Sequence, residues 1–154
     1  MELHILCGIP GSGKSTLLKN LSGTIVSTDA IRKFLWKDES KVKHDKLVFQ
    51  IADEMIKYML SIKDNVIFDA TNLTLQKRKK YILLAKTYNA DITVHWINCP
   101  INVAIGRNAN RERKVPVPVI ISLYKSLQPP DISEGMNRIK IYREDLSLVN
   151  EITV

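Results

Sequence analysis

The chain has 154 residues, a formal charge of +7 from 23 Lys and Arg against 16 Asp and Glu, and 45 % hydrophobic residues. That length suits one domain, 1–154, burying roughly 68–70 % of its unfolded surface, and leaves no room within these residues for a second catalytic domain. The positive charge admits a polyanionic partner but is met equally by a protein whose only anion is a nucleotide; no apolar run approaches the ~18 residues of a membrane helix and no signal-peptide pattern opens the chain, so the expectation is a cytoplasmic protein without a membrane partner.

The first apolar run, Leu3 to Cys7, reads as a strand. It leads into Gly8-Ile9-Pro10-Gly11-Ser12-Gly13-Lys14-Ser15-Thr16, the G-x-x-x-x-G-K-[ST] spacing of a phosphate-holding loop, and Leu17, Leu18 and Leu21 follow at helical spacing. Gly8, Gly11 and Gly13 let the backbone curl so that N–H groups around Ser12 and Thr16 point inward at a β-phosphate. Lys14 reaches the β/γ-phosphates, the Ser15 hydroxyl ligates Mg²⁺, and the helix start adds a favourable dipole. These residues predict a nucleoside triphosphate site, and the chain has no N-K-x-D string for guanine.

The second strand, Thr24 to Ser27, ends in Thr28-Asp29, with Ala30-Ile31-Arg32 next. A carboxylate at the C-terminal end of a parallel strand points into the crevice where such sheets bind ligands. Asp29 and Arg32 share a helical face at i and i+3. Asp29 is therefore either a base that orients an attacking hydroxyl and accepts its proton, or a helix cap. Arg32 either grips an acceptor phosphate or pairs with Asp29 or another acid. After an amphipathic stretch carrying Leu47, Ile51, Met55, Tyr58 and Met59, the third strand, Asn65 to Asp69, ends in an acid of Walker B type. Asp69 is read as supporting Mg²⁺ through water, orienting Arg32, or making an Asx turn with Thr71-Asn72.

Lys77-Arg78-Lys79-Lys80 opens the next helix, marked by Tyr81, Leu84, Ala85 and Tyr88, and reads mostly as a solvated face. The fourth strand is Asp91 to Ile97. Arg107 and Arg111, spaced i and i+4, either belong to a lid over nucleotide phosphates, about 107–118, or form a basic helix end. Arg113, Lys114 and Val115-Pro116-Val117-Pro118 complete that irregular stretch. A second loop, Gln128 to Gly135, precedes the fifth strand, Arg138 to Tyr142. Cys7 and Cys99 read as buried reduced thiols with no disulfide partner. His4, His44 and His95 are scattered and support neither a metal nor a general-base role. Strands alternating with helices predict an α/β fold with a parallel five-stranded sheet sandwiched by helices.

Gly8 to Thr16, Ser27 to Arg32, Asp69-Ala70-Thr71-Asn72, Arg107 and Arg111 ahead of Val115-Pro116, and Pro129-Pro130 ahead of Glu134-Gly135 together resemble the kinase domain of polynucleotide 5'-kinases. The resemblance runs from the first strand to the last. It implies a P-loop kinase fold with a lid, ATP and Mg²⁺ as cofactors, and the 5'-hydroxyl end of DNA or RNA as acceptor. It assigns catalysis to Lys14, Asp29 and Arg111, with Asp29 as the base. Arg32 then holds the acceptor's 3'-phosphate, Asp69 and Thr71 support the acceptor, and Arg107 and Arg111 contact the donor phosphates. The D-x-D-x-T string of the phosphatase found in many relatives is absent, and the segment from Arg111 to Val115 is short, leaving Arg113 and Lys114 without counterparts. A P-loop kinase of a small-molecule alcohol and a non-catalytic ATP-binding module are the alternatives.

Overall fold

The computed structural model describes all residues, Met1 to Val154. Six strands form one sheet, β1 (Glu2–Cys7), β2 (Thr24–Ser27), β3 (Val66–Asp69), β4 (Asp91–Ile97), β5 (Arg138–Tyr142) and β6 (Leu148–Thr153), in the order β2-β3-β1-β4-β5-β6. The first five are parallel, and β6 runs antiparallel to β5. The expected five-stranded sheet therefore gains a sixth strand. Leu148–Thr153 carries no apolar run and is almost wholly exposed, so it lacks the buried alternation that marks a strand in sequence. A tight turn, with Ser147 N–H donating to the Asp145 carboxylate at 2.9 Å, holds it against β5.

Helices α1 (Lys14–Leu18), α2 (Thr28–Trp36), α3 (Asp45–Ser61), α4 (Leu75–Thr87), α5 (Ile101–Ala109) and α6 (Val117–Ser126) flank the sheet, with a 3₁₀ turn at Ile132–Glu134. The central strands are apolar on both faces, as a covered parallel sheet requires: Leu3, Ile5, Leu6, Val66, Ile67, Phe68, Ile92 and Val94 are all inaccessible to solvent. On α3 the buried residues Val48, Ala52, Ile56 and Leu60 recur every four residues, one turn apart on the face toward the sheet. The face read from Met55, Tyr58 and Met59 is more exposed: Tyr58 is 62 % accessible. Tyr81 of α4 packs its ring 4.2 Å from that of Phe68 and donates its hydroxyl to Asp53 of α3 at 3.0 Å. Helix α1 is short, and Leu21 is reached through further turn-type bonds rather than as part of the helix.

The expected lid is divided. Arg107 belongs to α5, but that helix is capped by Asn110, so Arg111 and Arg113 lie in the following loop and Arg107 and Arg111 do not share one helix face. Pro116 is the N-cap of α6 and Pro118 sits in its first turn, a position where a missing N–H costs nothing. Residues just past the C-terminal ends of β1 and β2, at the C-terminal end of β3, at the start of α2 and in the loop between α5 and α6 line one cleft.

Candidate phosphoryl-transfer site

The phosphate loop is fastened at its start, where Gly8 N–H donates to the Thr71 carbonyl at 3.0 Å. Its curl uses positive φ at Gly11 (83°) and Gly13 (111°). At Gly11 a Cβ would stand 2.5 Å from the Ala104 carbonyl oxygen of α5, so both conformation and packing require glycine there. Lys14 Nζ donates back to the Gly8 and Ile9 carbonyls at 2.8 and 3.0 Å, holding the cation across the loop. Burial pushes its ammonium below the ordinary lysine range, opposed most strongly by the Asp69 carboxylate. Ser12 is fully buried within the curl.

The loop forms one end of a cleft of about 490 Å³. Gly11, Gly13, Lys14, Ser15 and Thr16 of the loop line it together with Asp29, Arg32, Asp69, Thr71, Arg107 and Arg111. Gly8 and Ser12 shape the loop from behind. Apart from Gly8 and Ser12, the candidate site residues read from the sequence line one cavity.

The choice of roles for Asp29 narrows, because α2 is capped by another residue. Ser27 is the N-cap, its hydroxyl accepting from Ala30 N–H at 3.3 Å. Asp29 stands in the first turn with its side chain 52 % accessible. Its Oδ1 accepts from Arg32 Nη1 at 2.7 Å and its Oδ2 from Arg113 Nη1 at 3.3 Å. Arg32 is buried, and its Nε and Nη2 donate to the two oxygens of Asp45 at 2.8 and 3.0 Å. Three of its five N–H groups are engaged, leaving two. Asp45, the first residue of α3, is the partner that sequence reading missed; an acid opening a helix is its only signal. Arg32 therefore pairs with Asp29 and Asp45, and the expectation that Asp69 orients it does not hold.

Asp69 ends β3 beside Ser27 of β2. Burial lifts its carboxyl above the usual carboxylate range, while Lys14 and a hydrogen bond from Ser27 pull the other way. Asn72 makes no simple turn. With φ of 47° it sends its buried amide to the Leu6 carbonyl at 2.8 Å, tying the segment after β3 to the strand before the phosphate loop.

On the lid side, Arg107 Nη1 donates to the Ser12 carbonyl at 3.2 Å and Nη2 to the Glu144 carbonyl at 2.6 Å, so Arg107 braces the phosphate loop through its backbone. Arg111 lines the cleft and makes no ion pair. Asn108 clamps the lid loop: its amide nitrogen donates to the Val115 carbonyl at 2.7 Å and its oxygen accepts from Val115 N–H at 2.9 Å. Arg113 crosses from that loop to Asp29, the Glu39 carbonyl at 3.2 Å and the Glu39 carboxylate at 3.6 Å. Arg113 stood in the sequence as one of the basic cluster without a partner, because Asp29 lies 84 residues away, and Asn108 did not stand out at all.

Two buried polar networks were also hidden. Arg78, expected on a solvated run, is completely buried and makes a bidentate pair with Glu134 at 2.9 and 2.6 Å. Its Nη1 donates to the Asn72 carbonyl at 3.1 Å. The pair thus supports the segment that holds Thr71 against Gly8. The second network joins three strands: His4 Nδ1 lies 3.1 Å from His95 Nε2, and His95 Nδ1 lies 3.0 Å from the Tyr142 hydroxyl. All contacts are satisfied when Tyr142 O–H donates to His95 and His95 donates to His4, both rings neutral. Burial pushes the His95 imidazole down to about 3. Cys7 and Cys99 are buried free thiols, and no helix is long and apolar enough to cross a membrane.

A mostly parallel sheet with a glycine-rich loop after β1, a carboxylate after β2 and arginines lining the cleft defines a P-loop fold of the kinase type. A family model described as an AAA domain matches residues 3–130, and the chain belongs to that family. The chain is 30 % identical over 139 residues to an L-seryl-tRNA(Sec) kinase of Methanococcus maripaludis, covering 83 % of this chain and 53 % of that protein. It is 28 % identical over 132 residues to a putative bifunctional polynucleotide kinase/RNA ligase of Autographa californica nuclear polyhedrosis virus, covering 75 % of this chain and 19 % of that one. The chain thus spans about half or less of the curated relatives it matches. Among solved structures, Chaetomium thermophilum Kti12 in complex with ADP-AlF3 superposes with a TM-score of 0.73 at 16 % identity, covering 92 % of this chain and 88 % of that one, a likeness of fold.

Proposed function

We propose that this protein is an ATP- and Mg²⁺-dependent kinase that transfers the γ-phosphoryl group to the 5'-hydroxyl of a nucleic acid. The observation that carries the reading is the position of Asp29: half exposed, free of capping duty, and in the same cleft as Lys14. In the transfer, the acceptor oxygen bonds to the γ-phosphorus, the bond to the β–γ bridging oxygen breaks with ADP leaving, and the hydroxyl proton passes to Asp29 late in a loose transition state.

Lys14 leaves its two carbonyl partners for the stronger attraction of phosphate oxygens and neutralises charge on the leaving side. Arg111 faces the donor phosphates, with Arg107 keeping the loop's N–H groups aimed. Arg32 turns its two remaining N–H groups to the phosphate on the 3' side of the terminal nucleoside, while Asp45 fixes its plane. Asp69 and Thr71 support the acceptor. A hydroxyl and a carboxylate in one cleft, Ser15 and Asp69, are hard oxygen donors suited to Mg²⁺ and would hold it, directly or through water. Bound there, the ion would supply charge neutralisation for the transferring phosphoryl group.

The named activities of the two curated relatives support a hydroxyl carried on a nucleic acid. The greater identity to the seryl-tRNA(Sec) kinase favours, as a second reading, a hydroxyl on an aminoacyl group esterified to tRNA. Turnover of a nucleoside 3'-phosphate against the plain nucleoside tests the first reading. A clear preference for the 3'-phosphate, lost in Arg32→Gln without change in the KM for ATP, is expected. Equal use of both acceptors contradicts it.

A further inference from the structure

Helix α2 starts at the cleft and leaves it carrying a cationic, aromatic outer face. Lys33 lies one turn on from Asp29 and Phe34 one turn on from exposed Ala30, with Lys37 at the helix end. Phe34 is 86 % accessible, an aromatic ring with no role in the core. The lysines of this region, Lys33, Lys37, Lys41, Lys43 and Lys46, are exposed and make no ion pair. Two nearby acids are paired, Asp45 with Arg32 and Glu39 with Arg113, while Asp38 keeps its charge and accepts from the Ser40 hydroxyl, leaving five lysines against one unpaired carboxylate. Val42, between two of the lysines, lines the cleft itself, so the basic surface is continuous with the cleft.

Resting on the nucleic-acid reading of the site, we infer that the outer face of α2 is a track for single-stranded nucleic acid, with Phe34 stacking a base beyond the terminal nucleotide and Lys33 and Lys37 meeting its phosphates. The spacing suits this. Five residues of helix advance about 7.5 Å along the axis and turn about 140° from Asp29 to Phe34, so a strand whose terminal hydroxyl is held at Asp29 follows the helix surface past Lys33 before a base meets Phe34. A positive groove with an aromatic platform is the recurrent way of holding single strands without base preference.

The test compares a 3'-fluorescein-labelled 5'-hydroxyl oligouridylate of about twelve nucleotides with uridine 3'-phosphate. Wild type is expected to bind the oligomer by anisotropy and to show a lower acceptor KM for it than for the mononucleotide. Phe34→Ala should raise the oligomer Kd about tenfold. Lys33→Gln with Lys37→Gln should flatten the slope of log K against log salt by about 1.4, the loss of two phosphate contacts. Both sites are exposed, so the variants keep the wild-type melting temperature. Unchanged Kd and salt slope in both variants overturns the track and leaves Phe34 to a protein interface. If neither acceptor is phosphorylated, the 5'-hydroxyl reading fails, and the anisotropy still decides the track: binding weakened by the variants supports it, and no binding by wild type overturns it.

Discussion

Replacing Asp29 by Asn separates chemistry from architecture, because Ser27 rather than Asp29 caps α2. The variant loses two charge-assisted contacts, to Arg32 at 2.7 Å and Arg113 at 3.3 Å, from a carboxylate that is 52 % accessible. Buried Arg32 keeps both bonds to Asp45 and an amide oxygen can still accept from it, so losing the charge at each contact costs ~0.2–1 kcal/mol, and an acid in a first helical turn adds ~0.3–1 kcal/mol. The expected stability loss is therefore about 1–2 kcal/mol, a fall in Tm of about 3–6 °C for a domain of this size. The expected catalytic loss is far larger, roughly 10² to 10⁴ in kcat, or about 3–5 kcal/mol of barrier. Steady-state transfer of labelled phosphate to a 5'-hydroxyl acceptor, beside calorimetric melting and ATP affinity, reads all three quantities. Arg113→Ala removes one of the same contacts but leaves the carboxylate, so it should share the modest Tm loss and keep more of kcat. A kcat for Asp29→Asn within twofold of wild type, together with the expected Tm loss, would show that Asp29 only anchors arginines.

Gly11→Ala places a methyl 2.5 Å from the Ala104 carbonyl at a φ of 83°; it should lower Tm and weaken ATP binding at least tenfold, checked by melting and calorimetric titration. Arg78→Met strands Glu134 in a fully buried position and should cost about 3–5 kcal/mol in denaturant unfolding, with Arg78→Met plus Glu134→Leu recovering much of it. The buried neutral His95, held at about 3 against 6.5 in a free histidine, takes up its proton mainly on unfolding. Its stabilisation is complete above pH ~6.5 and declines as pH falls toward 3, by up to about 1.4 kcal/mol per pH unit. Denaturant midpoints between pH 7 and 5 should show this slope, reduced in His95→Gln.

The parallel strands were legible because each is a short apolar run ending at a polar turn, and the phosphate loop because its spacing is dictated by phosphate geometry. What escaped the sequence depends on partners far along the chain. Leu148–Thr153 becomes a strand only because β5 offers an edge. Arg78 looks like one more solvated cation among Lys77, Lys79 and Lys80 until Glu134, 56 residues on, meets it. Asp45 and Arg113 likewise acquire meaning only by converging on Arg32 and Asp29. Arg107 and Arg111 show the reverse error: helical spacing predicted a shared face, and the cap at Asn110 breaks the helix between them.

End-labelling of a 5'-hydroxyl oligonucleotide with the γ-phosphate of ATP and Mg²⁺, followed by digestion to locate the label, tests the central claim most directly. The account predicts label solely at the 5' end, abolished by Lys14→Ala and Asp29→Asn. An unlabelled oligonucleotide under conditions where the protein phosphorylates a small alcohol or an aminoacyl-tRNA would contradict it.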